Sequence, residues 1–222
     1  MTTPEEYVLE AVDHYYNGEF EQAIAVLGKA IELRPDFAEA WYNKGITYSV
    51  MERPDEELDA YEKALGINPE YAEAWNNKAS ALGKLGRLEE SLAAAEKAVA
   101  LKPDFAVAWC NKGAALSGLD RDLEAVAAYD RAIAIQGNYV EAWYNKAVSL
   151  HNLAKPNGAL KAYNKTLELK PDYAEALYNR AGLYAGSGET AKAAEDLARA
   201  VELDPALMDK ALSDPDLGPL VR

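Results

Sequence analysis

Tryptophan recurs along this chain at one fixed interval. The four tryptophans are each 34 residues from the next: Trp41, Trp75, Trp109 and Trp143. One further step in either direction reaches another large apolar residue, Tyr7 or Leu177. Prolines keep the same period, with one glycine among them: Pro35, Pro69, Pro103, Gly137, Pro171 and Pro205. A period of this length predicts an array of structural repeats, each of them one small supersecondary unit.

Apolar residues inside each unit follow helical spacing. In the second unit Trp41, Gly45 and Tyr48 are spaced i, i+4 and i+7, which places them on one face of a helix. Leu58 and Tyr61 continue the pattern on a second helix of the same unit. A small residue between two large ones lets that second helix approach closely. Each unit is therefore predicted to be a helical hairpin, and the chain to be all-α.

Capping and breaking residues mark the ends of these helices. Pro54 and Pro156 are expected in the first turn of a second helix, where the missing N–H costs nothing. Three pairs of residues have the spacing of a reciprocal N-terminal cap: Asp36 with Glu39, Asn138 with Glu141, and Asp172 with Glu175. We therefore predict side-chain caps at these starts of the first helices.

The units resemble the tetratricopeptide repeat family. The residues that carry the resemblance in the second unit are Trp41, Gly45, Tyr48, Tyr61, Ala64 and Pro69. Glu57 departs from the family pattern, which prefers Ala there. The resemblance covers six units: 4–37, 38–71, 72–105, 106–139, 140–173 and 174–207. It implies a right-handed superhelical solenoid of antiparallel helical hairpins, with the first helix of each unit on the inner wall.

The two ends of the chain lie outside the repeats. Residues 1–3 are predicted to be a short N-terminal tail. Residues 208–222 no longer fit the pattern, and they are predicted to form a capping helix followed by a tail. Such an end segment follows many arrays of the family that this sequence resembles.

The charge of the chain limits its partners. It has 23 Lys and Arg against 37 Asp and Glu, a net charge of -14. Nucleic acid is not expected as a ligand, because its phosphates must be neutralised by basic residues. An anionic membrane surface would be repelled as well. No stretch approaches the roughly 18 apolar residues of a membrane-spanning helix, and residues 1–7 have no signal pattern. We expect a cytoplasmic protein with neutral or basic polypeptide partners.

The sequence offers little for catalysis or metal binding. The two histidines, His14 and His151, occupy unequal positions four repeats apart. Cys110 is the only cysteine, which excludes an intramolecular disulfide and a thiolate metal cluster. No phosphate-binding loop, nucleophile elbow or metal-binding helix pair is present. We therefore predict no enzymatic activity, no cofactor and no metal.

An asparagine follows each tryptophan position by two residues. The five are Asn43, Asn77, Asn111, Asn145 and Asn179. Two helical steps turn the side chain roughly 200° from the tryptophan, towards the inner wall. An amide both donates and accepts, so it can pair with the backbone of an extended peptide, and asparagine ladders bind peptides in some members of the family. The alternative is that these amides satisfy neighbouring backbone groups.

Tyrosine often precedes the asparagine, and it suits a recognition surface because it combines contact area with a polar tip. We predict a peptide-binding groove formed by the five asparagines together with Tyr42, Asn76, Tyr144 and Tyr178. Some co-chaperone repeats grip a C-terminal carboxylate with basic residues at positions of this groove. None of the equivalent residues here is basic: Tyr42, Cys110, Tyr144, Ile46, Ala114 and Val148. A chaperone-tail clamp is therefore not expected.

A cation follows each asparagine where the family usually has Leu. The set is Lys44, Lys78, Lys112, Lys146 and Arg180. These side chains are expected to cover apolar surface with their stems. We predict carboxylate partners at the starts of neighbouring helices: Glu39, Glu73, Glu141 and Glu175. A role in charge balance is favoured over ligand binding, with about 0–1 kcal/mol for each exposed pair.

Two functions follow from these observations. The favoured one is an adaptor that holds an extended, neutral or basic peptide of a partner protein in the inner groove. The alternative is a structural scaffold that self-associates weakly through the array ends and the tail 208–222. Residues 4–37 contain eight acidic and two basic residues, which argues against a sticky apolar surface at that end.

Overall fold

The fold is helical throughout the described part of the chain. The computed structural model describes residues 2–221. These residues form thirteen α-helices and one short 3-10 helix, without a strand, so the predicted all-α class is confirmed. The helices are α1 (Pro4–Tyr16), α2 (Phe20–Leu33), α3 (Ala38–Val50), α4 (Pro54–Ile67), α5 (Ala72–Lys84), α6 (Leu88–Leu101), α7 (Ala106–Gly118), α8 (Asp122–Ile135), α9 (Val140–Asn152), α10 (Pro156–Leu169), α11 (Ala174–Gly186), α12 (Thr190–Leu203) and α13 (Leu207–Ser213), with the 3-10 helix at Gly218–Leu220.

The helices belong to two compact units. The first ends at Leu119 and contains α1–α7, and the second begins at Asp120 and contains α8–α13 with the 3-10 helix. In the first unit α1 packs on α2, α3 on α4 and α5 on α6, and the odd-numbered helices also contact one another in order. In the second unit α9 packs on α10 and α11 on α12. Each of these pairs is an antiparallel hairpin closed by a short turn.

Small residues on the first helix of a pair allow the close contact. Gly45 of α3 is buried beneath Tyr61 of α4, and a β-carbon at position 45 would lie 2.6 Å from Cδ1 of the tyrosine ring. In the second unit the small residue Ala147 of α9 and the large residue Tyr163 of α10 are buried in one hydrophobic core. Burying a large side chain of this kind stabilises the fold by roughly 1.5–3 kcal/mol.

The first helices do not begin as predicted. The N-caps of α3, α9 and α11 are Phe37, Tyr139 and Tyr173, and no side chain caps them. The predicted caps are therefore wrong: Asp36 with Glu39, Asn138 with Glu141, and Asp172 with Glu175. The aromatic residue takes the cap position, so the Asp or Asn lies one residue too early for its side chain to reach the first turn. A reciprocal cap does occur on α1, where Thr3 and Glu6 exchange hydrogen bonds.

The tryptophans anchor the segment that precedes each of these helices. The Trp75 indole donates a hydrogen bond of 2.9 Å to the carbonyl of Pro69. The same bond recurs in three further repeats, from Trp41 to Pro35, from Trp109 to Pro103 and from Trp143 to Gly137. A half-buried indole thus fixes both the hairpin core and the connection to the preceding repeat.

The turn inside each hairpin needs a left-handed residue. Glycine supplies it at Gly18, Gly86 and Gly188, with φ between 72° and 80°. Glu52, Asp120 and Ala154 occupy the equivalent positions in the other repeats, with φ between 53° and 59°. A β-carbon makes this conformation costly by roughly 1–2 kcal/mol. Pro54 and Pro156, which follow two of these turns, occupy the first position of their helices as predicted.

The C-terminal segment packs on the second unit. Leu207 and Ala211 of α13 and Leu217 beyond it are buried in one core with α9–α12. Asp214 holds the turn by accepting hydrogen bonds from the backbone N–H groups of Asp216 and Leu217. The segment therefore covers the last hairpin. Within residues 2–221 no helix has the length and apolar character needed to cross a membrane.

Candidate peptide-binding surface

The predicted asparagines occupy equivalent places on the first helices. Asn43, Asn77 and Asn111 lie on α3, α5 and α7 of the first unit, and Asn145 and Asn179 lie on α9 and α11 of the second. All five side chains are half-buried. Each unit thus presents a row of amides that is partly open to solvent.

The amides link consecutive repeats by hydrogen bonds. Asn77 Nδ2 donates to the hydroxyl of Tyr42 over 3.2 Å, and Asn179 Nδ2 donates to that of Tyr144 over 3.1 Å. Asn111 Nδ2 donates to Asn76 Oδ1 over 2.9 Å. In each case the acceptor precedes the asparagine by 35 residues. The same link thus recurs three times. In each case an asparagine bonds to the side chain that lies one position before the asparagine of the preceding repeat.

Asn43 differs from these three asparagines. Its Nδ2 group donates over 2.8 Å to the carbonyl of Glu39, one turn earlier in the same helix. Asn43 therefore satisfies a neighbouring backbone group, which is the alternative to ligand binding that the sequence left open. For Asn77, Asn111 and Asn179 the partner is instead a side chain of the preceding repeat.

Two of the predicted site residues lie below the surface. Asn76 is 5% exposed and donates to Asn77 Oδ1 over 3.1 Å while it accepts from Asn111. Tyr178 is 4% exposed, and the ammonium of Lys210 lies 4.5 Å from the centre of its ring. Burial, and then the charge of Asp214, raise the pKa of the Tyr178 hydroxyl. These two residues support the surface from beneath, so a ligand would meet the half-buried amides first.

Tyr42 and Tyr144 each contact a second tyrosine, which lies immediately before the first helix of the next repeat. The ring of Tyr42 lies 4.6 Å from that of Tyr71, and the ring of Tyr144 lies 4.8 Å from that of Tyr173. Burial raises the pKa of all four hydroxyls, that of Tyr173 to about 12. These phenols therefore stay protonated at neutral pH and remain available as donors.

Cavities lie beside the asparagines of the first unit, and in the second unit a cavity lies beside the C-terminal segment. In the first unit three cavities of about 110, 220 and 240 Å³ have Asn43, Asn77 and Asn111 in their respective walls. In the second unit a cavity of about 540 Å³ lies between α9, α11 and the C-terminal segment, and His151, Gly182 and Asp216 line it. In the first unit the surface that carries the amides is therefore indented, as a surface that receives ligand side chains must be.

The repeated cations do not pair as predicted. Each of four lies within 3.1 Å of a carboxylate 16 residues away on a second helix: Lys78 with Glu62, Lys112 with Glu96, Lys146 with Asp130, and Arg180 with Asp196. The predicted partners Glu39, Glu73, Glu141 and Glu175 are wrong. The cation follows the tryptophan by three residues and so shares its face, which turns the cation towards a second helix. Glu73 instead binds Lys102 over 2.9 Å.

Lys44 is the exception among these cations. The residue 16 positions before it is Gly28, which offers no carboxylate. Its ammonium lies over the rings of Trp41 and Tyr48, at 5.3 and 5.8 Å from their centres. Burial, and then the charge of Lys63, lower the pKa of Lys44. The repeated cation therefore forms an ion pair between helices wherever a carboxylate faces it.

The residues considered for chemistry are dispersed. Nδ1 of His14 lies 2.5 Å from a carboxylate oxygen of Glu19, while His151 lies in the second unit. Cys110 is buried. Among residues 2–221 no group of three or more His, Cys, Asp or Glu side chains is placed to hold a metal ion.

The helical hairpins and their constant spacing place this chain among helical-repeat proteins. Models described as tetratricopeptide repeat match residues 38–71, 72–105, 106–139, 140–173 and 174–207, and a model described as TPR repeat matches 13–49. Together these matches extend over most of the chain. The protein belongs to the tetratricopeptide repeat family, as the sequence predicted.

Solved structures with the same fold support this assignment. PilW, described as a type IV pilus biogenesis factor, is 23% identical over 99% of this chain and 98% of its own, with a TM-score of 0.75. The pilF protein of Pseudomonas aeruginosa is 20% identical over 97% and 95%, with a TM-score of 0.77. YrrB, described as a TPR protein with an unusual peptide-binding site, is 25% identical over 82% and 94%, with a TM-score of 0.67. No curated protein matches the sequence significantly.

Proposed function

We propose that this chain binds an extended segment of a partner protein along the asparagine-bearing surface of its first helices. Tetratricopeptide arrays act as protein-interaction scaffolds, and this chain is built as one. The observation that carries the proposal is the row of half-buried amides, three of them fixed by a hydrogen bond to a neighbouring repeat. Because these side chains are already ordered, a ligand does not have to immobilise them on binding.

The bonded amides retain capacity for a ligand. An asparagine side chain has two N–H donors and an oxygen with two lone pairs. The bonds from Asn179 to Tyr144 and from Asn111 to Asn76 engage the amide nitrogen. The carbonyl oxygen can accept a hydrogen bond from the main-chain N–H of an extended peptide, whatever the side chains of that peptide.

Charge and similarity indicate the kind of ligand. The net charge of -14 favours neutral or basic segments over acidic ones. YrrB, described as having a peptide-binding site, is a TPR protein that shares a quarter of its residues with the matched part of this chain. This likeness supports peptide binding as the mode of recognition.

A capture experiment with matched variants tests the proposal. Wild-type protein, an Asn77→Ala, Asn111→Ala variant, and a control with exposed amides removed (Asn152→Ala, Asn157→Ala) are immobilised after their helicity has been checked by circular dichroism. Lysate proteins that bind are then identified by mass spectrometry. We expect a partner that binds the wild type and the control and is lost from the Asn77, Asn111 variant. Equal capture by all three would exclude the asparagine surface as the binding site.

The self-associating alternative has less support. One route to it is entry of the tail 208–222 into a second copy of the chain, and the other is stacking of the array ends. Leu217 of that tail is fully buried against its own unit, at 0% exposure. Light scattering over a concentration series distinguishes the two, because a peptide-binding adaptor stays monomeric and a self-associating scaffold does not.

A further inference from the structure

Glu57 departs from a position that is otherwise small and uncharged. The equivalent residues in the other five repeats are Ala23, Ser91, Ala125, Ala159 and Ala193. All of these are buried. Glu57 is buried as well, at 6% exposure, in the first turn of α4. One repeat in the array thus carries a carboxylate where the others carry nothing larger than Ser.

The position faces the first helix of its own hairpin. In the next repeat the hydroxyl of Ser91 donates over 2.7 Å to the carbonyl of Ala79 on α5. Glu57 is longer than Ser91 and reaches the region of Ser49 on α3. Burial raises the pKa of the Glu57 carboxyl, and the nearby hydroxyl of Ser49 and the charge of Lys84 oppose that effect. The start of α4 also favours a negative charge there.

In the described part of the chain, Glu57 lacks a cation in direct contact. Within residues 2–221 no Lys or Arg forms an ion pair with it. A buried carboxylate without a cationic partner is costly, and the small residues at the equivalent positions show that the fold does not need it. A residue that lowers the stability of the fold without improving its packing indicates a function other than packing.

The carboxylate lines a cavity on the candidate peptide-binding surface. This cavity, of about 220 Å³, lies among α1, α3, α4 and α5, and it is far larger than the roughly 10–15 Å³ that one water requires. Its wall consists of Tyr15, Ile46, Ser49, Val50, Glu57, Tyr61, Asn77 and Ser80. The cavity therefore combines one negative charge, two phenol rings and several hydrogen-bonding groups.

We propose that this cavity receives the side chain of a lysine or arginine of the bound peptide, with Glu57 as its counter-ion. The inference rests on the proposed function, because Asn77 of the same cavity would hold the peptide main chain beside that residue. A charged hydrogen bond to a buried carboxylate is short and strong. Tyr15 and Tyr61 lie in the same wall, and aromatic rings near a cation attract it as well. A metal ion is not the expected occupant, because Glu57 is the only carboxylate in the wall.

Selection from a random peptide library tests the proposal before any partner has been identified. Phage-displayed peptides are selected on wild-type protein, on Glu57→Gln and on Glu89→Gln. Gln preserves the shape of the side chain at position 57, and Glu89 is an exposed carboxylate on α6, so its variant removes the same charge elsewhere. We expect one position rich in Lys and Arg among peptides selected on wild type and on Glu89→Gln, and no such enrichment on Glu57→Gln.

Binding of one selected peptide then provides the quantitative test. Fluorescence anisotropy is measured for the labelled peptide and for its analogue with Met in place of the enriched cation. Loss of a buried charge pair should weaken binding to Glu57→Gln by about 10–100-fold, whereas Glu89→Gln should bind within about twofold of wild type. The analogue should bind wild type and Glu57→Gln about equally.

The outcomes separate this inference from the proposed function. If peptides are selected without a cationic position, or if the enrichment persists on Glu57→Gln, the role of Glu57 is refuted while peptide binding stands. If wild-type protein selects no peptide, both are refuted. The variant Glu57→Ala restores the residue of four other repeats, so a failure of Glu57→Gln to fold would not prevent the test.

Discussion

The side chain of Asn77 donates a hydrogen bond of 3.2 Å to the hydroxyl of Tyr42, and this bond joins two consecutive helical hairpins. The second unit repeats this link between Asn179 and Tyr144. The bond joins α3 to α5, which are helices of the first unit whose surface carries the predicted groove. A single amide thus contributes both to the joint between repeats and to the candidate binding surface.

This link should contribute measurably to stability. We expect Tyr42→Phe to lower the free energy of unfolding by about 0.5–1.5 kcal/mol, the usual net value of one hydrogen bond. Asn77→Ala should lower it further, because Asn77 also accepts a hydrogen bond from Asn76. The double variant should cost less than the sum, because both substitutions remove the same bond. Urea denaturation of the four proteins measures this coupling. Strictly additive losses would indicate that the bond contributes nothing of its own.

The contact between Gly45 and Tyr61 predicts opposite effects for two glycine substitutions. Gly45→Ala forces the Tyr61 ring to move and should cost about 1–3 kcal/mol. Gly66 also lies in a helix, but no atom would lie within 4 Å of an added β-carbon, so Gly66→Ala should stabilise by up to about 1 kcal/mol. Thermal unfolding followed by circular dichroism gives both values. A stabilised Gly45→Ala protein would contradict the close contact.

The left-handed turn positions predict a second pair of opposite effects. Ala154 has a φ of 53°, so Ala154→Gly should raise the free energy of unfolding by about 1 kcal/mol. Gly86 has a φ of 72°, so Gly86→Ala should lower it by a similar amount. Urea denaturation measures both. If both substitutions changed the free energy of unfolding in the same direction, backbone strain would be ruled out as the cause.

Glu57 should make stability depend on pH in a recognisable direction. Burial raises its pKa above the ordinary 4.5, so the native state binds this proton more readily than the unfolded chain. The favourable contribution is complete below the unfolded pKa and is lost as the pH rises through the native pKa. Glu57→Gln should therefore exceed wild type in free energy of unfolding at about pH 7, and the difference should narrow at about pH 4.

Urea denaturation at the two pH values measures that gap. Glu89→Gln serves as the control, since it removes the same charge from an exposed position. A gap for Glu57→Gln that stays constant between the two pH values would mean that burial does not perturb this carboxyl.

The period of the sequence predicted the helices well because it reports on packing within one repeat. Trp41, Gly45 and Tyr61 interact inside a hairpin, so their spacing along the chain reflects their contacts directly. The helix starts were predicted less well. Phe37 occupies the cap position that Asp36 was expected to fill, and that shift of one residue depends on packing between repeats.

The sequence predicted where the residues of the candidate site lie, but not which side chains they bond to. Helical geometry placed Asn111 on a first helix, away from the tryptophan. Its bond to Asn76 depends on how far neighbouring helices are offset, which no spacing within one repeat reveals. The partner of Lys112 was missed for the same reason, since Glu96 belongs to the preceding hairpin. The asparagines as ligand contacts remain a prediction.

The hydrogen bonds and ion pairs between repeats join residues at constant separations along the chain. These separations determine which changes in chain length the fold can accept. If residues 72–105 were deleted, Asn111 would follow Tyr42 at the distance along the chain that Asn77 has now, and Lys112 would take the place of Lys78 opposite Glu62. Loss or duplication of a whole repeat therefore preserves these neighbour relationships, whereas insertion of a single residue breaks several. Copy number is thus the direction in which an ancestor of this chain could vary most freely.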